Sequence, residues 1–411
     1  MEEGNENSEN DNANYIQELH DLVDNILDRK RSTVQGRADA FADFSRIAKF
    51  HYVEEQIRPR VKELVAAFLK SIKLETSEQE SVLAFQALEV LAVTAYDSAV
   101  YELAEPQLTR SVRDSTSRSI KGAAIYCLGS CTMFGGASED NIYGQMTSFL
   151  DIVASDGQSI DAADDPESVM AAVRAWGLLA TEMDDLEAES EEAVQIFVDQ
   201  LGGDHTDVQI AAGENIALLY EKSYSLQTDY NDGQDSSEED ELELGDGNSD
   251  AGGPRLVKRY DAYHNTHEIT EDLQSLATIH SKRISKKEKK SLHSSFLSIL
   301  STVEDPRRGP MYSTAIDQDT GREYGSRAVV RMGDGAVDVD RWWKWIRLSW
   351  IRRILRGGFS VHFSQGNRAV LDNLPVSFRL NTLQQDDKAG ARKAMKARSD
   401  ARKFAIHDEE L

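Results

Sequence analysis

From Tyr15 to about Tyr224 the apolar positions return every three and four residues, and proline is nearly absent. That period predicts helices throughout. In residues 81–95, SVLAFQALEVLAVTA, the positions Val82, Phe85, Leu88, Val90 and Leu91 form a stripe broad enough for a mostly buried helix, with Glu89 turned to solvent. Thr76-Ser77-Glu78-Gln79 precedes it as an N-terminal cap with acids in the first turn.

This kind of helix recurs. QALEVLA (86–92), AAIYCLG (123–129), RAWGLLA (174–180) and ENIALLY (214–220) align on Leu91, Leu128, Leu179 and Leu219. Small residues cluster ahead of the later copies, at Gly122-Ala123-Ala124, Ala171-Ala172 and Ala211-Ala212-Gly213, where they allow close helix approach. A second apolar helix precedes each copy, as at 60–73 and 191–201. Helix pairs repeating at this interval predict an all-α armadillo/HEAT-like solenoid, the alternative being a non-repeating helical bundle.

Past this region the pattern changes. Residues 229–250 hold ten acids and no base, and Gly252-Gly253-Pro254 follows, which predicts an exposed linker. Ser236 and Ser237, each followed by acids, are candidate sites for an acid-directed kinase, set against a plain solvated tether. A helix is expected over 267–281, then a basic run from Lys282 to Lys290 that opens another helix (292–305), which Asp305-Pro306 breaks. Short alternating runs at 327–332 and 336–339 flank Gly333-Asp334-Gly335 and predict a β-hairpin. In RWWKWIRLSWIRRILR (341–356), Trp342, Trp345, Ile346, Ser349, Trp350 and Ile354 share one helical stripe, while Arg341, Lys344, Arg347 and Arg352 project elsewhere. The stripe is read as core covered by Arg stems, in preference to a platform for stacking bases. The resulting organisation is an acidic, disordered N-terminus (1–14), a helical-repeat domain (15–228), an acidic linker (229–254), a mostly helical C-terminal domain with a short hairpin (255–385), and a basic helical tail (386–411).

Charge sharpens this division. The 411 residues carry 46 Lys+Arg and 72 Asp+Glu, a net charge of −26. Residues 1–250 account for 17 bases and 52 acids, and 251–411 for 29 and 20, so an acidic part precedes a basic one. Two cysteines exclude a disulfide framework. The opening residues MEEGNENSENDNAN, acidic and without a positive or apolar region, read as neither a secretory signal nor a transit peptide, and there is no apolar run of membrane-spanning length. Cytoplasm and nucleus are the expected locations.

Catalytic signatures are missing: there is no GxxxxGK[ST], GxGxxG after a strand, HExxH or GxSxG. Cys127 and Cys131 lie one helical turn apart and read as buried hydrophobes. His264 and His267 lack a third ligand nearby and read as loop residues. No enzyme activity, metal, cofactor or small-molecule substrate is expected.

The basic tail, KAGARKAMKARSDARKF (388–404), has a stripe of alanines flanked by Lys388, Arg392, Lys393, Lys396, Arg398, Arg402 and Lys403. Its helix propensity is high, but alanines bury little area. The segment suits a cationic rod folding against RNA or a ribonucleoprotein; the alternative is a solvated tail, pairing with the acidic linker in cis.

Four stretches together resemble the interferon-related developmental regulator family. They are DNILDRKRSTVQGRADAFADFSRIA (24–48), AAGENIALLYE (211–221), HSKRISKKEKKSLHSSF (280–296) with GGFSVHFSQGNRAVL (357–371), and KARSDARKF (396–404). Ala211, Ala212, Gly213 and Glu214 carry the AAGENIALLYE match, and Gly358, His362 and Asn367 the G-x-x-x-H-F-x-x-x-N run; all seven are expected to be structural. The resemblance implies an N-terminal solenoid, an acidic linker, a smaller C-terminal domain and a non-enzymatic regulator of gene expression. Two activities are implied within the family. One is a scaffold whose basic C-terminus contacts a ribosome and represses translation, with protein partners along the solenoid. The other is a nuclear transcriptional co-regulator that recruits chromatin-modifying complexes by protein contacts, KARSDARK and SKKEKK (285–290) then serving as import addresses.

Overall fold

The computed structural model describes residues 3–226, 256–278, 286–312, 328–332 and 335–375. The acidic linker with Ser236 and Ser237, the bases Lys282 and Arg283, and the whole basic tail lie outside the described residues.

Helices pair along the chain as the sequence predicts. α1 (Glu3–Leu27) packs on α2 (Val34–Phe50), and after the short α3 (Glu54–Ile57) come α4 (Val61–Leu74) with α5 (Glu78–Ala95) and α6 (Ala99–Asp114) with α7 (Arg118–Phe134). α8 (Glu139–Ala154) then pairs with α9 (Pro166–Ala180), and α10 (Glu187–Leu201) with α11 (Thr206–Lys222). α12 (Thr266–Thr278) and α13 (Lys286–Glu304) add one more pair, α13 against α11. The second members, α2, α5, α7, α9, α11 and α13, stack into one continuous layer. This is an all-α solenoid.

Local chemistry sets the ends of these helices. Thr33, Ser117, Ser138 and Asp165 each accept an N–H of the first turn, and Pro166 opens α9 at the position where its missing N–H costs nothing. Ser77 precedes α5 as expected, but its hydroxyl makes no capping bond. The four aligned leucines are buried in the shared layer, and Cys127 and Cys131 are free and buried in α7. Lys286, Lys287, Lys289 and Lys290 form the opening turns of α13 itself, so the helix starts earlier than the apolar pattern indicates.

Two small antiparallel ladders complete the fold. β1 (Tyr224–Leu226) pairs with β2 (Leu256–Lys258), so the chain leaves for and returns from the linker at one place. β3 (Ala328–Met332) and β4 (Gly335–Val339) form the predicted hairpin, with Met332 opposite Gly335. It leads into α14 (Trp342–Leu355), a 3₁₀ turn (Arg356–Gly358), α15 (Phe359–Ser364) and α16 (Arg368–Leu371). Residues from both sides of the linker contribute to one hydrophobic core.

Candidate functional site

A solenoid ordinarily offers its inner layer to an extended partner. Here that layer is covered by the chain's own residues 342–374, which run as a strap from α13 and α11 back to α2. Trp342 donates its indole N–H to Thr302 on α13 at 2.6 Å. Trp345 donates to Glu214 on α11 at 2.9 Å, and Trp350 to Ser130 on α7 at 3.0 Å. Arg353 forms a two-pronged ion pair with Glu89 on α5, and His362 and Asn367 bond to Ala48 and Val93, near the ends of α2 and α5. Trp342, Trp350, Ile351, Ile354, Leu355, Phe359 and Phe363 are buried in the process. The tryptophan stripe is therefore core, with Trp343 and Trp345 half-buried and Arg347 lying over the Trp343 ring.

At its first end the strap is held by charge. Glu221, at the end of α11, is buried and accepts the backbone N–H of Trp342 (2.8 Å) and of Trp343 (3.3 Å). A carboxylate from one helix thus caps the N-terminus of another, where the helix dipole favours negative charge. Burial still dominates and pushes the Glu221 carboxyl up to about 7. Next to it Lys222 donates to the Thr181 carbonyl at 3.1 Å and also to Met183, and burial together with nearby Arg347 brings its ammonium down to about 8. Arg347 reaches the same helix end, bonding Thr181 Oγ1 at 2.8 Å, the Thr181 carbonyl at 3.0 Å and Glu182 at 2.6 Å. Lys222 and Arg347 thereby satisfy carbonyls at the C-terminus of α9 that have no helical partner.

Midway, Ser130 donates to Glu89 at 2.9 Å while it accepts from Trp350, and the Arg353 guanidinium lies 4.1 Å from the Tyr126 ring centroid and 4.6 Å from that of Trp350. The periodicity of α5 turns Glu89 to solvent, yet it is 4 % exposed. The correction has a simple cause: α14 covers the face of α5 that a repeat alone would leave open, and Arg353 supplies the countercharge. Beside this cluster lies a cavity of about 320 Å³ floored by Gly122 and Ala123 and walled by Phe85, Tyr126 and Met170.

At its far end the strap is held by neutral groups. His362 is fully buried; its Nε2–H donates to the Ala48 carbonyl at 2.8 Å, and its Nδ1 accepts from the Asn367 amide at 2.8 Å. Asn367 also donates to the Val93 carbonyl at 3.1 Å and caps α16 by accepting from the Ala369 N–H. Burial lowers the imidazole to about 4, so it stays neutral. Gly358 makes this approach possible, since a Cβ there would stand 1.6 Å from the Lys49 carbonyl oxygen.

The two motifs singled out in the sequence therefore meet the strap or form it. Ala211 and Ala212 are buried in α11, a Cβ on Gly213 would come within 2.7 Å of Ile299 on α13, and Glu214 holds Trp345. Burial raises the Glu214 carboxyl. Asn215, next in the motif, donates to the Val173 carbonyl at 2.8 Å and fills the space that Gly177 leaves open on α9. Gly358, His362 and Asn367 lie together at the far end. The tail bases Lys388, Arg392, Lys393, Lys396, Arg398, Arg402 and Lys403 are outside the described residues. His264 pairs with Glu191 on α10 and His267 with Glu271 in its own helix. Among the described residues no group of three or more His, Cys, Asp or Glu could hold a metal ion.

Several polar residues central to the packing carry no sequence signal. Lys121 is 1 % exposed and donates to the carbonyls of Val112, Arg113 and Ile160, closing the end of α6. Glu80 is buried between Arg37, Arg29 and Ser71; burial alone raises a carboxyl, but the bonds from Arg37 and Ser71 hold this one below its ordinary value. Charged letters at helix positions look alike in sequence whether they face water or a facing helix's carbonyl ends.

The family profile of the interferon-related developmental regulator (IFRD) matches residues 1–304, ending where α13 ends. An uncharacterized protein of the fission yeast Schizosaccharomyces pombe (strain 972) is 26% identical over 357 residues, covering 85% of this chain and 72% of its own length. The chain belongs to the interferon-related developmental regulator family.

Proposed function

We propose that this member of a regulator family acts without catalysis, as a scaffold that contacts a ribosome or another ribonucleoprotein through its basic tail and represses translation. The observation that carries the reading is the filled inner face. The strap occupies the surface on which a solenoid would grip an extended partner, from Glu221 to His362. Recognition then falls to what lies outside it. On a helix, the seven bases of 388–404 would line up with phosphate oxygens, and protein partners would approach the acidic outer helices. Contacts of this kind are tolerant of sequence and sensitive to salt. A cationic rod lodged on ribosomal RNA would compete with the RNA path that translation needs.

Truncation after Gln385 tests the reading. The shortened chain is expected to keep its helical circular dichroism and melting temperature and to lose co-sedimentation with ribosomes. Undiminished co-sedimentation would overturn it. Recovery of chromatin factors with no ribosomal RNA, after crosslinking the full chain in cells, would replace it by the nuclear co-regulator reading.

A further inference from the structure

Where the strap meets α2, the electrostatics of the molecule reverse. Lys49 and Phe50 end α2, Arg352 and Arg353 lie in the last turn of α14, and Arg356 follows directly. Glu89 neutralises Arg353. Lys49, Arg352 and Arg356 have no carboxylate within ion-pair distance among the described residues. Two helix C-termini converge here, and their partial negative charge offsets some of the repulsion. Burial and the nearby Arg356 nevertheless bring the Lys49 ammonium below its ordinary value.

Two further features are independent of this charge count. Arg356 has φ +50° and ψ −124°, a conformation that suits glycine and strains any other residue. Glycines occupy the next two positions, so an arginine stands where a third glycine would relieve strain. Next to Lys49, Phe50 is 49 % exposed, its ring edge 3.4 Å from where a Cβ on Gly357, the residue after Arg356, would sit. A half-exposed aromatic ring beside cations that have no direct ion pair complements single-stranded nucleic acid, whose bases stack while its phosphates pair. Residues 1–250, which build most of the solenoid, carry 17 bases and 52 acids, so a cationic patch on that body stands apart from its surroundings.

We propose that Lys49, Phe50, Arg352 and Arg356 form a docking surface for single-stranded RNA on the folded body of the protein. The proposal rests on the RNA reading above and gives it a second, structured site. The described chain ends at Pro375, beyond α16, which packs on α5.

The test is fluorescence anisotropy of a labelled uridine oligonucleotide against the full chain over a range of salt. Three proteins are compared: wild type, a patch variant (Lys49→Gln, Arg352→Gln, Arg356→Gly), and a tail variant with its seven bases changed to Gln. The patch variant is expected to bind about tenfold more weakly, with a log–log salt slope shallower by about 2, as for three lost phosphate contacts. Its melting temperature should equal or exceed that of wild type, because Arg356→Gly removes strain. Phe50→Leu, which keeps an apolar cover on Gly357, should weaken binding and leave the slope unchanged. Wild-type affinity and slope in the patch variant would overturn the proposal. So would a silent Phe50→Leu together with equal displacement of the RNA by polyglutamate, which would mark a surface for acidic proteins. A loss confined to the patch variant rejects the tail reading and keeps this one; a loss confined to the tail variant does the reverse.

Discussion

The two ends of the strap do the same work with opposite chemistry. At Glu221 a carboxylate caps α14, and burial raises its pKa to about 7. At His362 a neutral imidazole and an amide satisfy the last carbonyls of α2 and α5, and burial lowers the imidazole to about 4. Both ends close helix termini that would otherwise be buried unsatisfied. One end, however, is stabilised by holding a proton and the other by refusing one. The strap is therefore anchored by two devices that respond to pH in opposite directions.

The largest expected effect breaks the far end outright. In Gly358→Ala the new methyl meets the Lys49 carbonyl, backbone against backbone, and neither can move without separating the strap from α2. A loss of about 3 kcal/mol or more in denaturant unfolding is expected. Acid should act at the same end. Folded His362 titrates at about 4 against an ordinary 6.5, so between these values the unfolded chain binds the extra proton. Its contribution is complete above pH 6.5 and lost by pH 4, a decline of about 3 kcal/mol. His362→Gln, which can still donate to Ala48, should flatten that decline in unfolding measured between pH 7 and 4.

The opposite sign is expected at the other end. Folded Glu221 titrates at about 7 against 4.5, so the folded chain holds the extra proton and stability falls as pH rises through that window. Glu221→Gln keeps a carbonyl acceptor for Trp342 and should raise stability at pH 8 by about 2 kcal/mol, with little change at pH 4. Smallest is Ser130→Ala, which keeps the packing of Trp350 on α7 but removes the acceptor of its indole N–H. A cost of about 1 kcal/mol is expected in the same assay.

The repeating layer was legible in the sequence because it rests on period and on small residues. Leu91, Leu128, Leu179 and Leu219 mark the stacked helices, and Ala172, Ala212 and Gly213 mark where they approach. The hairpin and the tryptophan stripe were legible for the same reason. The strap's destination was not, since periodicity shows that α14 buries a face and is silent about what covers it. Glu89 illustrates the limit: on α5 alone it is a solvent position, and Ser130 on α7 with Arg353, 264 residues later, makes it a buried one. The motifs around Glu214 and His362 were visible as a resemblance, while the contacts that give them meaning come from the fold.

Native-state hydrogen exchange of the full chain tests the central claim, that residues 342–374 are part of the solenoid's inner layer and leave recognition to other surfaces. The amides of α14 and α15 should exchange with the same opening free energy as those of α5, α7, α9 and α11, as one cooperative unit. Fast, independent exchange of 342–371, with the inner helices still protected, would contradict it.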